Sequence, residues 1–294
     1  MQIKNLLVPV DFSPPSILAV NYGVALARKL RCRLTMLHVG GIRSDWDQNH
    51  TWFALQALIG PEDQDDLNVE ALVKEGDVES QIAAAISETK ADAVVMGTHG
   101  RRLLGRLLIG SVTQDLLRKT PVPIFTVCQV SRPLGFGNIL YATDLSDASM
   151  RGFREIVQLA RTLGSSLQIM HVLTPPLSLY PNPESVTLQE ADQRRYRRDS
   201  REKLDRMAAS IKKEKIACET ILIEGNAASE ILKVADERMV DLIAMAVEDR
   251  GFRDRTVFGT TAERVMRESR IPVISLNVSA KTGFGNWEEI SMVL

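Results

Sequence analysis

The residues with the clearest chemical capacity lie in segment 94–118, VVMGTHGRRLLGRLLIGSVTQDLLR. A short apolar run ending at Met96 gives way to Gly97 and Gly100, and a helical pattern resumes straight after Gly110-Ser111. Glycine has no Cβ, so the backbone at 97 and 100 can take positive φ and lie close against a ligand. Gly110-Ser111 sets free N–H groups and a hydroxyl at a helix start. Four unpaired amides and the positive end of the helix dipole attract anions there, phosphate above all. Glycines after a strand also serve plain turns, so this pattern taken alone leaves both uses open.

Other reactive side chains are less organised. His99 sits between the two glycines with no second catalytic group beside it and reads as an exposed loop residue. His38 and His171 occupy matching strand ends, which suits packing or a hydrogen bond. With His50 in a loop and no cysteine pair, no zinc ligand set is expected. Arg101, Arg102 and Arg106 lie between Gly100 and Gly110 and serve either as a triphosphate clamp or as a solvated loop. Cys32, Cys128 and Cys218 are odd in number and far apart, and read as small core residues in a reducing compartment.

The elements that must position the glycine segment repeat a simple alternation. Residues 3–10 are nearly continuous in apolar side chains, as in a parallel strand covered on both faces. Ser13 before Pro14 is a helix start, and Ile17, Val20, Val24 and Ala27 give that helix one buried face ending near Leu30. Strands follow over 34–39, 69–74, 93–96 and 124–127, with a helix over 79–89 and another after Ser111. Segment 40–66 lacks a clean period and is expected to be loop with a short helix at 51–58. Strands alternating with helices predict a doubly wound parallel sheet, whose ligands sit beyond the carboxyl ends of the strands where strand order reverses. Asp11, Val39 and Gly97 all fall at such ends.

The pattern then starts again. VPVDFS at 8–13 returns as YATDLS at 141–146, LTMLHV at 34–39 as LQIMHV at 167–172, and VKEGD at 73–77 as LIEGN at 222–226. Asp11 and Asp144, like His38 and His171, are 133 residues apart, while Gly76 and Gly225, like Gly110 and Gly259, are 149 apart. The chain is therefore a duplication with 16 extra residues between the second and third strands of its second copy. The expected division is a first domain over 1–130, a second over 137–278 and a tail over 279–294, with Ser131, Pro133 and Gly135 in the linker.

Length and composition agree with two globular cores: 294 residues, 45% hydrophobic. A net charge of −1 argues against a dominant nucleic-acid or membrane-surface role. No apolar run approaches the ~18 residues of a membrane span, and the opening apolar run is too short for a signal peptide, so a cytoplasmic location is expected.

A strand ending in V-D-F-S, a second ending in H-V, and Gly97-x-x-Gly100 followed after nine residues by Gly110-Ser111 resemble the universal stress protein family in its tandem form. The resemblance implies two tandem flavodoxin-like α/β domains, each a doubly wound, five-stranded parallel sheet. It also implies an adenine-nucleotide site in the first: Pro9 and Asp11 at the adenosine, Val39 at the adenine edge through its backbone, Met96 and Gly97 on the ribose side. Gly100, Gly110, Ser111 and Val112 would cradle the phosphates. The implied ligand is ATP, ADP or AMP. Mg²⁺ is a compatible companion, although no carboxylate pair is evident near Ser111 to hold it. Family members pair through their last strand, so residues 124–127 and 274–276 would join the two halves as an internal pseudo-dimer, and two such chains would associate further as a homo-oligomer.

The second half departs from the pattern. Asp144, His171-Val172 and Gly259-Thr260 persist, but Ala246 stands at the place of Gly97 and Asp249 at that of Gly100. A methyl group is then expected where the ligand needs close approach. A carboxylate about 4 Å from a phosphate charge would repel it by about 4 kcal/mol at an effective dielectric near 20. This half is expected to be structural or partner-docking, with compensation by Arg250, Arg253 and Arg255, or an uncharged ligand, as the other readings. Residues 194–206, RRYRRDSREKLDR, can pair their charges along one solvated helix through Arg198–Glu202, Arg201–Asp205 and Glu202–Arg206. The expected function is a stress-response binding module whose nucleotide occupancy tunes stability or a partner contact, with no catalytic or metal residues assigned. A slow ATPase or nucleotidyl transferase is the alternative, disfavoured by the absence of a Walker lysine or second base. A third reading is a regulatory subunit that binds a partner or polyanion through the 194–206 helix.

Overall fold

The computed structural model describes residues 1–40, 48–97, 111–128, 133–174, 183–247 and 260–278, without the side chains at 48, 64, 65, 111, 118, 119 and 183–190. The first half runs β1 (Asn5–Pro9), α1 (Pro14–Leu30), β2 (Arg33–Val39), α2 (Gln48–Gln56), α3 (Pro61–Asp66), β3 (Val69–Lys74), α4 (Val78–Thr89), β4 (Ala93–Gly97), α5 (Ser111–Lys119) and β5 (Ile124–Val127). The second runs β6 (Asn138–Ala142), α6 (Asp147–Leu163), β7 (Ser166–Leu173), α7 (Pro183–Ser210), β8 (Cys218–Glu224), α8 (Ala227–Glu237), β9 (Leu242–Val247), α9 (Thr260–Glu268) and β10 (Val273–Asn277).

Strand order is β3-β2-β1-β4-β5 in the first half, mirrored as β10-β9-β6-β7-β8 in the second, all parallel within each half. The two five-stranded halves join into one ten-stranded sheet through their last strands, as expected from residues 124–127 and 274–276. β5 and β10 would each be an open edge of its own half. They pair antiparallel, Phe125 opposite Ile274, and so supply each other's missing backbone partners.

Alternation along the strands sends side chains to two layers. On β4, Ala93 and Val95 join the layer under α1 and α6, and Val94 and Met96 join the layer under α4, α5, α8 and α9. Both layers run unbroken across the junction, so the halves share their cores.

The same local devices occur in both halves. Ser13 caps α1 and Ser146 caps α6, each accepting from the amide three residues on, with Phe12 and Leu145 at φ 60° in the preceding turn. Asp92 accepts from the Lys4 and Asn5 amides at 2.7 and 2.9 Å. Asp241, 149 residues later, accepts from Gly137 and Asn138 at 2.8 and 2.9 Å. Each carboxylate thus ties the start of a half's first strand to the loop before its fourth.

The residues where the two junction strands end reach across the pseudo-twofold. Asn277 Nδ2 donates to the Leu117 and Thr120 carbonyls at the end of α5, at 3.5 and 3.4 Å. Its counterpart Cys128 donates its thiol hydrogen to the Ser269 carbonyl at the end of α9.

The halves differ between their second and third strands. The expected short helix at 51–58 is α2 at Gln48–Gln56, and a further helix, α3, forms on PEDQDD. That segment has no apolar period. Pro61 in the first turn, the acidic Glu62 and Asp63 near the positive helix end, and the Arg28–Asp63 ion pair hold it instead. In the second half this region is the 28-residue α7. Of the expected pairs along it, Arg198–Glu202 is present at 3.9 Å. Arg206 donates to the Glu202 carbonyl instead, and Arg197 reaches Glu224 on β8. Arg201 and Asp205 form no ion pair among the described residues.

Candidate functional site

At the reversal of strand order in the first half, β1 lies between β2 and β4, and a cavity of about 280 Å³ opens beyond their carboxyl ends. Pro9 and Asp11 come from β1 and its following turn, Val39 from the end of β2, Met96 and Gly97 from the end of β4, and Val112 from the first turn of α5. These are six of the nine residues singled out in the sequence. Ser111 begins α5, though its side chain is not among those described, and Gly100 and Gly110 lie outside the described residues, as do His99, Arg101, Arg102 and Arg106.

Asp11 faces the opening. Partial burial raises its pKa, but the Ser13 hydroxyl and amide and the Ser16 hydroxyl outweigh this and hold the carboxyl below its ordinary value. It stays ionised and is chemically suited to accept from hydroxyls or an amine. The first turn of α5, opposite, carries no acidic residue to offset its positive end. The apolar walls, including Ile82 and Val78 of α4, would face a flat ring.

His38 does not line this cavity. Its Nδ1 is 2.7 Å from the Val10 carbonyl and its ring packs on Phe12 at 5.1 Å, so it is a strut between β2 and the β1–α1 turn.

Gly97 has a structural reason of its own. A Cβ there would meet the Pro15 carbonyl oxygen at 2.4 Å, on the side of β4 that faces α1. The counterpart Ala246 likewise points to the helix layer, where the missing Cβ of Gly152 would lie 2.8 Å from the Ala246 Cβ. α6 makes room for this methyl with a glycine, and Ala246 also lines the cavity of the second half. The substitution at Asp249 lies outside the described residues.

The second half has its own cavity, of about 380 Å³, beyond β6, β7 and β9. It holds Asp144 and the buried His171, and Tyr196 of α7 closes one side. Sequence reasoning missed Tyr196 because it sits within a run of arginines, and missed Ser13 and Ser16 because capping serines look alike whether or not they also hold a site carboxylate. Among the described residues no group of three or more His, Cys, Asp or Glu is placed to hold a metal.

A doubly wound α/β unit repeated in tandem, with a cleft at each reversal of strand order, defines the class of this protein. The chain belongs to the universal stress protein family, whose model matches residues 2–127 and again 135–276. A universal stress protein of Methanocaldococcus jannaschii is 23% identical over 138 residues, covering 42% of this chain and 81% of the relative. Two solved structures match nearly end to end. One is a universal stress protein from Archaeoglobus fulgidus, with a TM-score of 0.65 at 23% identity over 94% of this chain and 99% of that one. The other is a functionally unknown protein from Pseudomonas aeruginosa, with a TM-score of 0.68 at 17% identity over 99% and 95%. At these identities the likeness is one of fold.

Proposed function

We propose that the first half, residues 1–130, binds an adenine nucleotide, ATP or its ADP and AMP relatives, and that occupancy tunes the stability of the chain or its contact with a partner protein. The observation that carries this is the convergence of Pro9, Asp11, Val39, Met96, Gly97 and Val112 on one cavity at the start of α5. An ionised carboxylate for sugar hydroxyls, apolar walls for a base and a helix start with no acidic residue in its first turn for phosphate fit the three parts of such a ligand. Family membership supports the same reading.

Occupancy has a route to the second half, residues 137–278. α5 begins at the cavity and ends at Leu117 and Thr120, whose carbonyls face Asn277 of β10. A ligand that orders the start of α5 also steadies the helix whose far end meets the other half. The second half then serves as a structural or docking unit, and the chain works as a binding module with no catalytic residue assigned. Two chains would associate further as a homo-oligomer.

The test is mass spectrometry of nucleotide released from the purified, denatured chain, quantified per chain, beside Gly110→Asp. One adenine nucleotide per chain, lost in the variant, is expected. No nucleotide, together with no ATP binding by calorimetry, would refute the reading.

A further inference from the structure

The ten-stranded sheet ends at β3 on one side and β8 on the other, with no strand beyond either among the described residues. An open edge is a row of backbone groups that invites another strand. The two edges are guarded differently. β8 packs under the 28-residue α7, which is tied to it by the Arg197–Glu224 ion pair, and its charged residues, Glu219 and Glu224, are both acidic. β3 is covered on one face by the nine-residue α2, which leaves Trp52 and Phe53 37% and 64% exposed.

The bonds to β2 fix which groups of β3 face outward. The Asn68 and Lys74 carbonyls accept from the Leu34 and Gly40 amides at 2.9 and 3.1 Å. Backbone groups of the even-numbered residues therefore point to β2, and those of Val69, Ala71 and Val73 point outward, without a partner among the described residues. An antiparallel strand added there bonds to the odd-numbered residues, while the side chains of Glu70, Leu72 and Lys74 stand together on one face.

A second β3 fits this edge in one register. With a twofold axis at Leu72, Ala71 meets Val73 of the other copy as a hydrogen-bonded pair, Leu72 meets its own copy, and Glu70 meets Lys74, twice. An axis at Ala71 or Val73 would set Glu70 opposite Leu72 or Gly76 and forfeit both charge pairs. Within one chain Arg33 lies 4.0 Å from Glu70, and Lys74 pairs with Glu88. Each side of the seam then reads Arg33, Glu70, Lys74, Glu88, the last two from the other copy, with signs alternating along a network rather than in an isolated pair. An open hollow of about 530 Å³, lined in part by Arg33, Glu70, Leu72 and Glu88, gives the incoming Lys74 room. The chain already joins two edges in this way, since β5 and β10 pair antiparallel and each helix layer continues across the seam. A β3 pair repeats that geometry and sets the two α2 helices on the same face.

We infer that β3 is a docking edge for a second copy of this chain, in antiparallel register about Leu72 with reciprocal Glu70–Lys74 pairs, joining two ten-stranded sheets into one. The inference rests on the reading that two chains associate and names the surface through which they do so.

The experiment is sedimentation velocity of the full chain and of Glu70→Lys and Lys74→Glu, each alone and the two mixed. The natural chain is expected to dimerise. Each variant alone sets like charges opposite one another at both pairs and should dimerise about tenfold or more weakly. The equimolar mixture restores opposite charges at both pairs and should dimerise like the natural chain. Leu72→Cys in a Cys218→Ser background should also form a disulfide-linked dimer on mild oxidation, because a non-hydrogen-bonded antiparallel pair sets its Cα atoms about 4.5 Å apart. This second measurement decides the matter should a charge reversal fail to fold. A monomeric natural chain would overturn the inference together with the reading that chains associate. A dimer indifferent to both charge reversals, no rescue in the mixture, or no cross-link at position 72 would overturn the inference alone, the contact then lying on another surface such as β8.

Discussion

Replacing Gly152 by Ala places a Cβ 2.8 Å from the Ala246 Cβ, about 0.7 Å or more inside the ordinary carbon–carbon contact of about 3.5–4.0 Å. Neither atom sits on a flexible arm, so α6 must lift off β9. Overpacking of this kind costs about 1–3 kcal/mol, from which the helix preference for Ala over Gly returns about 0.5–1 kcal/mol. The reverse change, Ala246→Gly, removes one methyl worth at most about 0.8 kcal/mol and adds about 0.5–1 kcal/mol of backbone entropy in a strand. The two together remove the clash while the helix gain offsets the strand loss. The double variant should therefore lie within about 1 kcal/mol of the natural chain, with a favourable coupling of about 1–3 kcal/mol. Thermal unfolding followed by circular dichroism reads this directly, since about 1 kcal/mol moves the midpoint by roughly 2–4 °C in a unit of this size. Additive single effects, with no rescue in the double variant, would refute the argument that a helix glycine accommodates the strand methyl. Gly97→Ala is the contrast: the obstacle is the Pro15 backbone carbonyl at 2.4 Å, so no side-chain change on α1 relieves it.

Three more predictions follow from particular contacts. Burial pushes the His171 imidazole below its ordinary value of 6.5, against the Thr143 carbonyl and Asp144, which favour the charged form. The unfolded chain binds that proton first, so stability is full above pH 6.5 and falls as pH drops below it; urea midpoints between pH 5 and 7.5 should show this slope, and His171→Gln should flatten it. Asp241→Asn weakens two charge-assisted bonds to the Gly137 and Asn138 amides and should cost about 1.5–3 kcal/mol in denaturant unfolding, as should Asp92→Asn at the matching place. Asn277→Ala should cost about 1 kcal/mol and raise hydrogen exchange at the end of α5, a readout that a uniform loss of stability would not confine to that helix.

Much of the fold was legible because the duplication writes each element twice. β5 at Ile124–Val127 and the start of α1 at Ser13-Pro14 follow from an unbroken apolar run and a capping serine before proline. Asp11, Val39 and Gly97 were legible because they fall at strand ends, where this topology puts ligands, whereas Pro9, Met96 and Val112 came with the family resemblance. α3 was not, because PEDQDD has no apolar face and is held by its helix-end chemistry and by Arg28 from another helix. Tyr196 was hidden because a tyrosine among arginines on a mostly solvated helix carries no periodic signal, and only the packing of α7 on β7 and β8 brings it to His171. Gly97 was legible as a glycine that had to be one, but the obligation comes from Pro15 on the neighbouring helix. Asp92 and Asp241 passed unnoticed because a carboxylate bonded to two backbone amides looks in sequence like any surface acid.

Whether an adenine nucleotide occupies the first cavity is tested most directly by where such a ligand touches the chain. Photolysis of an azido-adenine nucleotide bound to the purified protein, followed by peptide mapping, should label segments containing Val39 or Met96, with labelling suppressed by excess ATP. Labelling spread over the surface and indifferent to ATP, or confined to the second half, would contradict the account.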